Sequence, residues 1–471
     1  MNLAELLLEP AREMPDAAAL VHEGTVVTYG ELAEQSGRMA RRFVDDGVQP
    51  GDRVAIIAPC EPRFVAAYLG ALRAGSVVVP LNPEAPAAEL ERDLASVEAT
   101  LVVRDLSVPV TGEAPGTVPR DDDDLAVLLF TAGTAGAPKA AMLTHGNLVT
   151  NLGQIQGHPS LALRPEDVGL CVLPLFHVYG LHVGIGVALA AGASVVLDRF
   201  DAARSVRLVR EHGVTVVAAV PAMWSAWLEL TDADAPPDSF STVRLAVSGA
   251  AALSEETASA MRERFGVVVA EGYGLTEASA VVTAALVANR PPQPGSIGLP
   301  LPGVDVRLVD VDGADVLAGD PGEIWVRGPN VFPGYWRDEE ATKRVLTADG
   351  WLRTGDVAVA DDDGELTLVD RAKDLVIVSG FNVYPAEVEE VLLAHPDVAE
   401  AAVVGEPDDR SGEAVAAYVV AEPGRAPTAD ELAAHCTAAL ARYKCPTRVE
   451  IVDVLPRSFV GKLLRRELRR S

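Results

Sequence analysis

Short apolar runs recur through the first half of the chain, separated mostly by segments long enough for a helix. Arg53-Val54-Ala55-Ile56-Ile57, Val77 to Pro80, Thr100 to Val103, Leu125 to Phe130, Val168 to Leu173, Ser194 to Leu197, Val214 to Val220 and Val243 to Ser248 are too brief for helices and show almost no polar alternation. Strands of that kind are buried on both faces, which requires a mostly parallel sheet with helices packed on either side. The intervening segments fit: Thr28-Tyr29-Gly30-Glu31-Leu32 opens an amphipathic helix running towards Val44 with Thr28 as its cap, and Phe64 to Ala74 reads as a second. The fold class is therefore α/β, with a large N-terminal domain of doubly wound layers. A chain of 471 residues, 49% hydrophobic, can fill two or three such cores.

From Ile297 the texture changes. Val304 to Asp310, Gly322 to Arg327 and a hairpin over Ala358 to Val369, turning at Asp361-Asp362-Asp363-Gly364, predict a small β-rich unit. After Asp370-Arg371-Ala372-Lys373-Asp374 a compact tail begins, with strands at Leu375 to Val378, Val398 to Val404 and Val415 to Val420 and helices at Ala386 to Ala394 and Thr428 to Leu440. It is the size of a separate α+β domain. Tyr179 to Leu197 has no formal charge and nearly the length of a membrane span. Its glycines divide it into a helix (Val183 to Ala190), a stop at Gly192 and a strand (Ser194 to Leu197), so it reads as core.

The formal net charge of −29 argues against nucleic acid or an anionic membrane as partner, and leaves any anionic ligand dependent on local cations. Cys60, Cys171, Cys436 and Cys445 form no CxxC pair and predict free thiols in a reducing compartment, without zinc. Glu5 and Glu9 stand where a signal peptide would carry Lys or Arg, and a cytoplasmic setting is expected.

Candidate chemistry begins at Thr131-Ala132-Gly133-Thr134-Ala135-Gly136-Ala137-Pro138-Lys139, directly after an apolar strand. Glycines let backbone N–H groups close around an anion, and Lys139 adds a full positive charge. The P-loop pattern fails, because Pro138 occupies the place of its second glycine and Ala140 follows the lysine. A plain surface loop is the other reading of the stretch taken alone.

Ser248-Gly249-Ala250-Ala251 and Glu271-Gly272-Tyr273-Gly274-Leu275-Thr276-Glu277 each end an apolar strand, where open parallel sheets bind ligands. Tyr273 offers a stacking face, Thr276 a phosphate donor and Glu277 a hard oxygen ligand for Mg2+; a tight turn before a helix is the alternative. Thr354-Gly355-Asp356 is expected to present an exposed Asp at a strand end, suited to vicinal ribose hydroxyls, with Arg371 in reach of the same sugar; a turn aspartate and a surface arginine are the bland readings. Lys462, after Gly461 in a short loop, is either a mobile cation over developing charge or part of a solvated basic tail. His177, in Pro174-Leu175-Phe176-His177-Val178-Tyr179-Gly180, reads as a steric gate or a core histidine rather than a base.

Taken together, in this order and at these separations, the segments Thr131 to Lys139, Tyr273 to Glu277, Thr354 to Asp356, Asp370 to Gly380 and Pro456 to Arg465 resemble the adenylate-forming superfamily of acyl-CoA synthetases, peptide-synthetase adenylation domains and luciferases. The resemblance covers essentially the whole chain. It implies a domain over 1–372 holding ATP and the acyl pocket, and a small mobile domain over 373–471 carrying the adenylation lysine. Carried over by residue, Thr131, Gly133, Thr134, Gly136 and Lys139 would hold the triphosphate. Gly249, Ala250, Ala251 and Tyr273 would hold adenine, Thr276 the α-phosphate, Glu277 magnesium, and Asp356 with Arg371 the ribose, with Gly274 also in the nucleotide site. Lys373 would be the hinge, Gly380 would face the acceptor thiol, and Lys462 would be the adenylation lysine.

The implied activity is ATP-dependent conversion of a carboxylic acid to an acyl-adenylate, then to a thioester of coenzyme A. Gly272 leaves a channel open, and Phe176, His177, Val178, Trp224, Gly249 and Val281 are candidate walls, which resembles a medium- or long-chain fatty acyl-CoA ligase. An aryl or cinnamic acid is the alternative substrate, and an acyl carrier protein the alternative acceptor. The insertion found in many stand-alone fatty acyl-AMP ligases is not visible between Ile297 and Asp356, which favours coenzyme A. No Arg or Lys at 272 pairs with a second carboxylate, against malonate. In the phosphate loop Ala132, Ala135 and Ala140 replace the family's usual Ser, Thr and Gly. A weakly catalytic nucleotide-binding protein is the reading those alanines motivate.

Overall fold

Strands made only of apolar residues need cover on both faces, and most of the short runs identified in the sequence lie side by side in two sheets of the first of two compact units. The computed structural model describes residues 1–106, 115–131, 138–286, 292–293, 295–310, 312–371, 376–378, 381–383, 385–408, 412–440, 442–457 and 463–469. Unit one comprises Met1–Val306 and Val326–Arg353, and unit two Arg307–Trp325 and Thr354–Ser471.

In unit one, a five-stranded sheet runs Leu101–Val103, Arg53–Ile56, Val77–Pro80, Leu125–Thr131, Lys139–Thr144. The first four are parallel, and the last returns antiparallel beside Leu125–Thr131. The second sheet centres on parallel strands Val269–Tyr273, Leu245–Ser248, Val216–Ala219, Val168–Cys171, Ser194–Leu197 and Ala18–His22, flanked by antiparallel Thr283–Ala284 and Ser296–Pro300 at one side and Thr25–Thr28 at the other.

The helix expected after Thr28 spans Tyr29–Asp45 and is closed by a capping box: Glu31 N donates to Thr28 Oγ1 at 3.2 Å while the Glu31 carboxylate accepts from Thr28 N at 2.9 Å. Such a cap is worth about 1 kcal/mol. The helix packs on Pro62–Arg73, where Gly70 permits the close approach: a Cβ there would lie 2.6 Å from that of Met39. Tyr179–Gly186 forms a wide π-helical turn that continues as Val187–Ala190, stops at Gly192 (φ 74°) and enters Ser194–Leu197. Leu181, Ile185, Leu189 and Val195 are buried, as the core reading requires. Among the described residues no helix is long and apolar enough to cross a membrane.

In unit two, residues 354–360 of the strand Leu352–Ala360 pair antiparallel with Leu366–Arg371, and the hairpin closes where Asp361 N donates to Glu365 O. The tail packs helices Pro385–Leu393 and Ala429–Ala439 over strands Val376–Val378, Gly412–Ala421 and Val398–Asp408, with Phe381–Val383 and Arg448–Ile451 completing the sheet. Val388, Leu392, Val403, Val415, Val419, Leu432 and Cys436 share its core. All four cysteines are free thiols.

Candidate active site

The glycine- and threonine-bearing loop joins two antiparallel strands. Thr131 is the last residue of one and Lys139 the first of the next, opposed in register, with the Thr131 hydroxyl 3.5 Å from the Lys139 carbonyl. Gly133, Thr134 and Gly136 lie outside the described residues. In a P-loop a helix N-terminus faces the phosphate. Here the chain runs on as a strand, and the next helix, His145–Gln156, begins after the Thr144 cap. Positive charge at the loop therefore falls to Lys139.

Residues 329–336 brace this hairpin against the Thr276–Ala278 turn. Met142 N donates to Gly334 O at 3.0 Å and Trp336 N to Ala140 O at 2.8 Å, so the segment runs antiparallel to the Lys139–Thr144 strand. Asn147 Nδ2 donates to the carbonyls of Pro329 and Val331. On the other side Asn330 Nδ2 donates to Ala278 O, Ser279 Oγ to Asn330 O, and Phe332 N to Glu277 O at 2.9 Å. Tyr335, only 8% exposed, sits at the junction. Its phenol donates to Glu277 Oε1 at 2.7 Å, and Lys139 Nζ lies over its ring, 5.3 Å from the centroid. Burial, and after it the Glu277 carboxylate, push the phenol's pKa up, so it stays a neutral donor. The expected phosphate cation and the expected metal carboxylate thus share one tyrosine.

The second sheet delivers the small-residue loops. Gly249 leaves Leu245–Ser248 with its α-carbon facing the Tyr179 ring, where a Cβ would come within 3.2 Å. The next residue, Ala250, takes φ 70°, and both Ala250 and Ala251 are exposed. Tyr273 is buried at the end of its strand. Gly274 is obligatory, since a Cβ would lie 1.5 Å from Ala280 O. Half-buried Thr276 and Glu277 open the turn that follows.

Around Gly272 a Cβ would meet only Val247 Cγ1 at 3.6 Å and Thr283 O at 3.7 Å. Phe176 and His177 are half-buried, Val178 is buried, and His177 Nδ1 accepts from Tyr179 N at 3.2 Å. Val281 is held at both backbone groups by Asn151. Trp224 is fully buried and stacks edge-on against Trp227 at 5.0 Å inside the core.

The family profile described as AMP-binding enzyme matches residues 7–117 and 104–336, and that of the AMP-binding enzyme C-terminal domain matches 387–462. The chain belongs to this family. The AMP-binding enzyme is 37% identical to a long-chain-fatty-acid–CoA ligase of Yersinia pestis, over 99% of this chain and 94% of the relative. It is 38% identical to a feruloyl-CoA synthase of an Amycolatopsis species, over 98% and 97%. ATP-bound MatB from Rhodopseudomonas palustris superposes with a TM-score of 0.92 at 33% identity, covering 100% of this chain and 98% of that one. The adenylate-forming superfamily and an AMP-forming acid–thiol ligase chemistry follow from these matches.

In unit two of this AMP-binding enzyme, one expectation is corrected. Asp356 is not an exposed residue at a strand end; it lies inside Leu352–Ala360 and is 7% exposed. Gly355 takes φ 72° without ending the strand, Thr354 Oγ1 donates to Ile324 O, and Gly355 N donates to Glu323 Oε1. The register sets Asp356 opposite Arg371, so their α-carbons are neighbours across the hairpin. Lys373, Gly380 and Lys462 lie outside the described residues. Sequence reasoning missed Tyr335; a tyrosine within Gly334-Tyr335-Trp336 carries no periodic signal, and its significance appears only with Glu277 beside it.

Proposed function

We propose that this enzyme activates a medium- or long-chain fatty acid. The acid's carboxylate oxygen attacks the α-phosphorus of ATP, the bond to the β-phosphate oxygen breaks, and pyrophosphate leaves. The thiol of coenzyme A, losing its proton, then attacks the acyl carbon and displaces AMP. The reading is supported above all by Tyr335, which touches both Lys139, read as the phosphate cation, and Glu277, read as the metal carboxylate.

Thr131, Thr134 and Lys139 grip the triphosphate, Gly249 to Ala251 and Tyr273 the adenine, and Thr276 the α-phosphate. Asp356 and Arg371, opposed across their hairpin, take the ribose hydroxyls. Lys462 steadies the charge on the transferring adenylyl group; rotation about Lys373 then withdraws it and turns the Gly380 face to the thiol. No cluster of three or more His, Cys, Asp or Glu side chains among the described residues could enclose a metal. A single half-buried carboxylate with one oxygen already bound to Tyr335 fits Mg2+, which is commonly held by one or two carboxylates and substrate phosphates. When bound, the ion would neutralise phosphate charge. Four free thiols suit the reducing cytoplasm.

The fatty-acid assignment rests on Gly272, which presents no side chain and where a Cβ would make ordinary contacts with Val247 and Thr283, and on the half-buried apolar segment at Phe176. A flat aryl acid is the second reading, favoured by the identity to feruloyl-CoA synthase. The test is pyrophosphate exchange into ATP with octanoate, palmitate, ferulate and malonate, followed by AMP release with free coenzyme A or with an acyl carrier protein. Exchange is expected with the fatty acids, release with free coenzyme A, and a shorter chain limit in Gly272→Trp. Exchange confined to ferulate would select the aryl reading, release only with the carrier would replace coenzyme A, and no exchange with any acid would refute the activity.

A further inference from the structure

Three groups converge on Tyr335, and each meets a different part of it. The hydroxyl takes Glu277 Oε1, the ring face takes the Lys139 ammonium, and the backbone N–H is bound by Thr342 Oγ1 at 2.9 Å. Thr342 Oγ1 in turn donates to Asp338 O, so the link runs from the helix Glu339–Val345 back to its N-cap. Gly334, at φ 139°, allows the corner: a Cβ there would lie 2.5 Å from Thr342 Cγ2. Phe332 meets the same ring edge-to-face at 5.0 Å, while its own N–H holds the Glu277 carbonyl. The tyrosine is thus immobilised from behind, and its two functional surfaces meet Lys139, from the five-stranded sheet, and Glu277, from the Thr276–Ala278 turn.

We propose that Tyr335 is a positioning residue that sets the geometry between the metal-binding carboxylate and the phosphate-binding cation. The proposal rests on the reading of Glu277 as the metal ligand and Lys139 as the phosphate cation. A half-buried carboxylate with no fixed partner can rotate and present either oxygen. With Oε1 bound to the phenol, Glu277 is fixed in orientation and offers Oε2 to a cation. Outer partners of this kind typically govern metal affinity by 10–100-fold. The same ring gives the lysine an attractive face that competes weakly with water, which holds the ammonium near the loop without neutralising it. A carboxylate in the ring's place would have paired with Lys139 and cancelled the charge that the triphosphate needs.

The experiment measures ATP binding by calorimetry, with no acid present, once in EDTA and once in saturating Mg2+. Tyr335→Phe keeps the ring and loses the hydroxyl: affinity in EDTA should match the parent, while the gain on adding Mg2+ should shrink about tenfold. Tyr335→Leu loses both, and should also weaken binding in EDTA by about threefold. Glu277→Gln should lose the Mg2+ gain, and adding Tyr335→Phe to it should cost nothing further. A parent-like Mg2+ gain in Tyr335→Phe, with Glu277→Gln impaired, would overturn the role of Tyr335 alone. A parent-like gain in Glu277→Gln would overturn the metal reading beneath it. Equal loss in both buffers for Tyr335→Phe would mark a folding defect and also overturn the proposal.

Discussion

Glu271 offers a sharp test, because its carboxylate is buried and burial is the largest influence on it. It lies in the Val269–Tyr273 strand opposite Ser248, is 8% exposed, and accepts from Leu253 N at 3.0 Å. Burial raises its pKa from 4.5 to about 7, against the lowering effect of hydrogen bonds from the Leu253 and Gly295 backbones. The sign follows from proton counting. Between 4.5 and 7 the folded chain holds a proton that the unfolded chain has released, so stability falls as pH rises through that window. The whole effect is on the order of 3 kcal/mol. With about 2.1 cal/mol/K of unfolding entropy per residue, a unit of this size would lose roughly 4 °C. Glu271→Gln cannot ionise and keeps an oxygen for Leu253 N. Scanning calorimetry from pH 5 to 8.5 should give a difference in Tm between variant and parent that grows in the variant's favour as pH rises. Other titrating groups are common to both proteins and cancel. Parallel Tm curves would show that Glu271 is not desolvated as described, and the reasoning would fail.

Gly274→Ala should lower pyrophosphate exchange at least a hundredfold, because the 1.5 Å overlap with Ala280 O displaces the Glu277 turn, whereas Gly272→Ala, with nothing nearer than 3.6 Å, should stay close to the parent; equal activities would refute the distinction. Lys462→Ala should abolish exchange while calorimetry shows ATP still bound, and exchange at the parent rate would remove Lys462 from the chemistry.

Much of this architecture is legible in the chain because strands buried on both faces leave little room for polar residues. Val77–Pro80 and Ser194–Leu197 lie where their composition places them. Thr28 announces its helix through Glu31, a local pairing that needs no tertiary context. Lys139–Thr144 is different: Lys-Ala-Ala-Met-Leu-Thr has neither alternation nor β-branched residues in its interior, and only pairing with Leu125–Thr131 makes it a strand. Asp356 misleads because Thr-Gly-Asp is a good turn in isolation, while the Ile324 and Glu323 contacts that keep it extended lie thirty-odd residues away. Tyr335 is silent for the same reason, since its partners come from remote parts of the sequence.

The hairpin that bounds the proposed phosphate loop separates two jobs that a strand-to-helix turn must combine. Ladder hydrogen bonds anchor both ends, so the span from 132 to 137 can exchange residues without relocating the lysine that follows it. Nucleotide grip can then drift, or be engineered, as an adjustable trait on an unchanged frame. The alanines at 132 and 135 are substitutions such a frame can absorb.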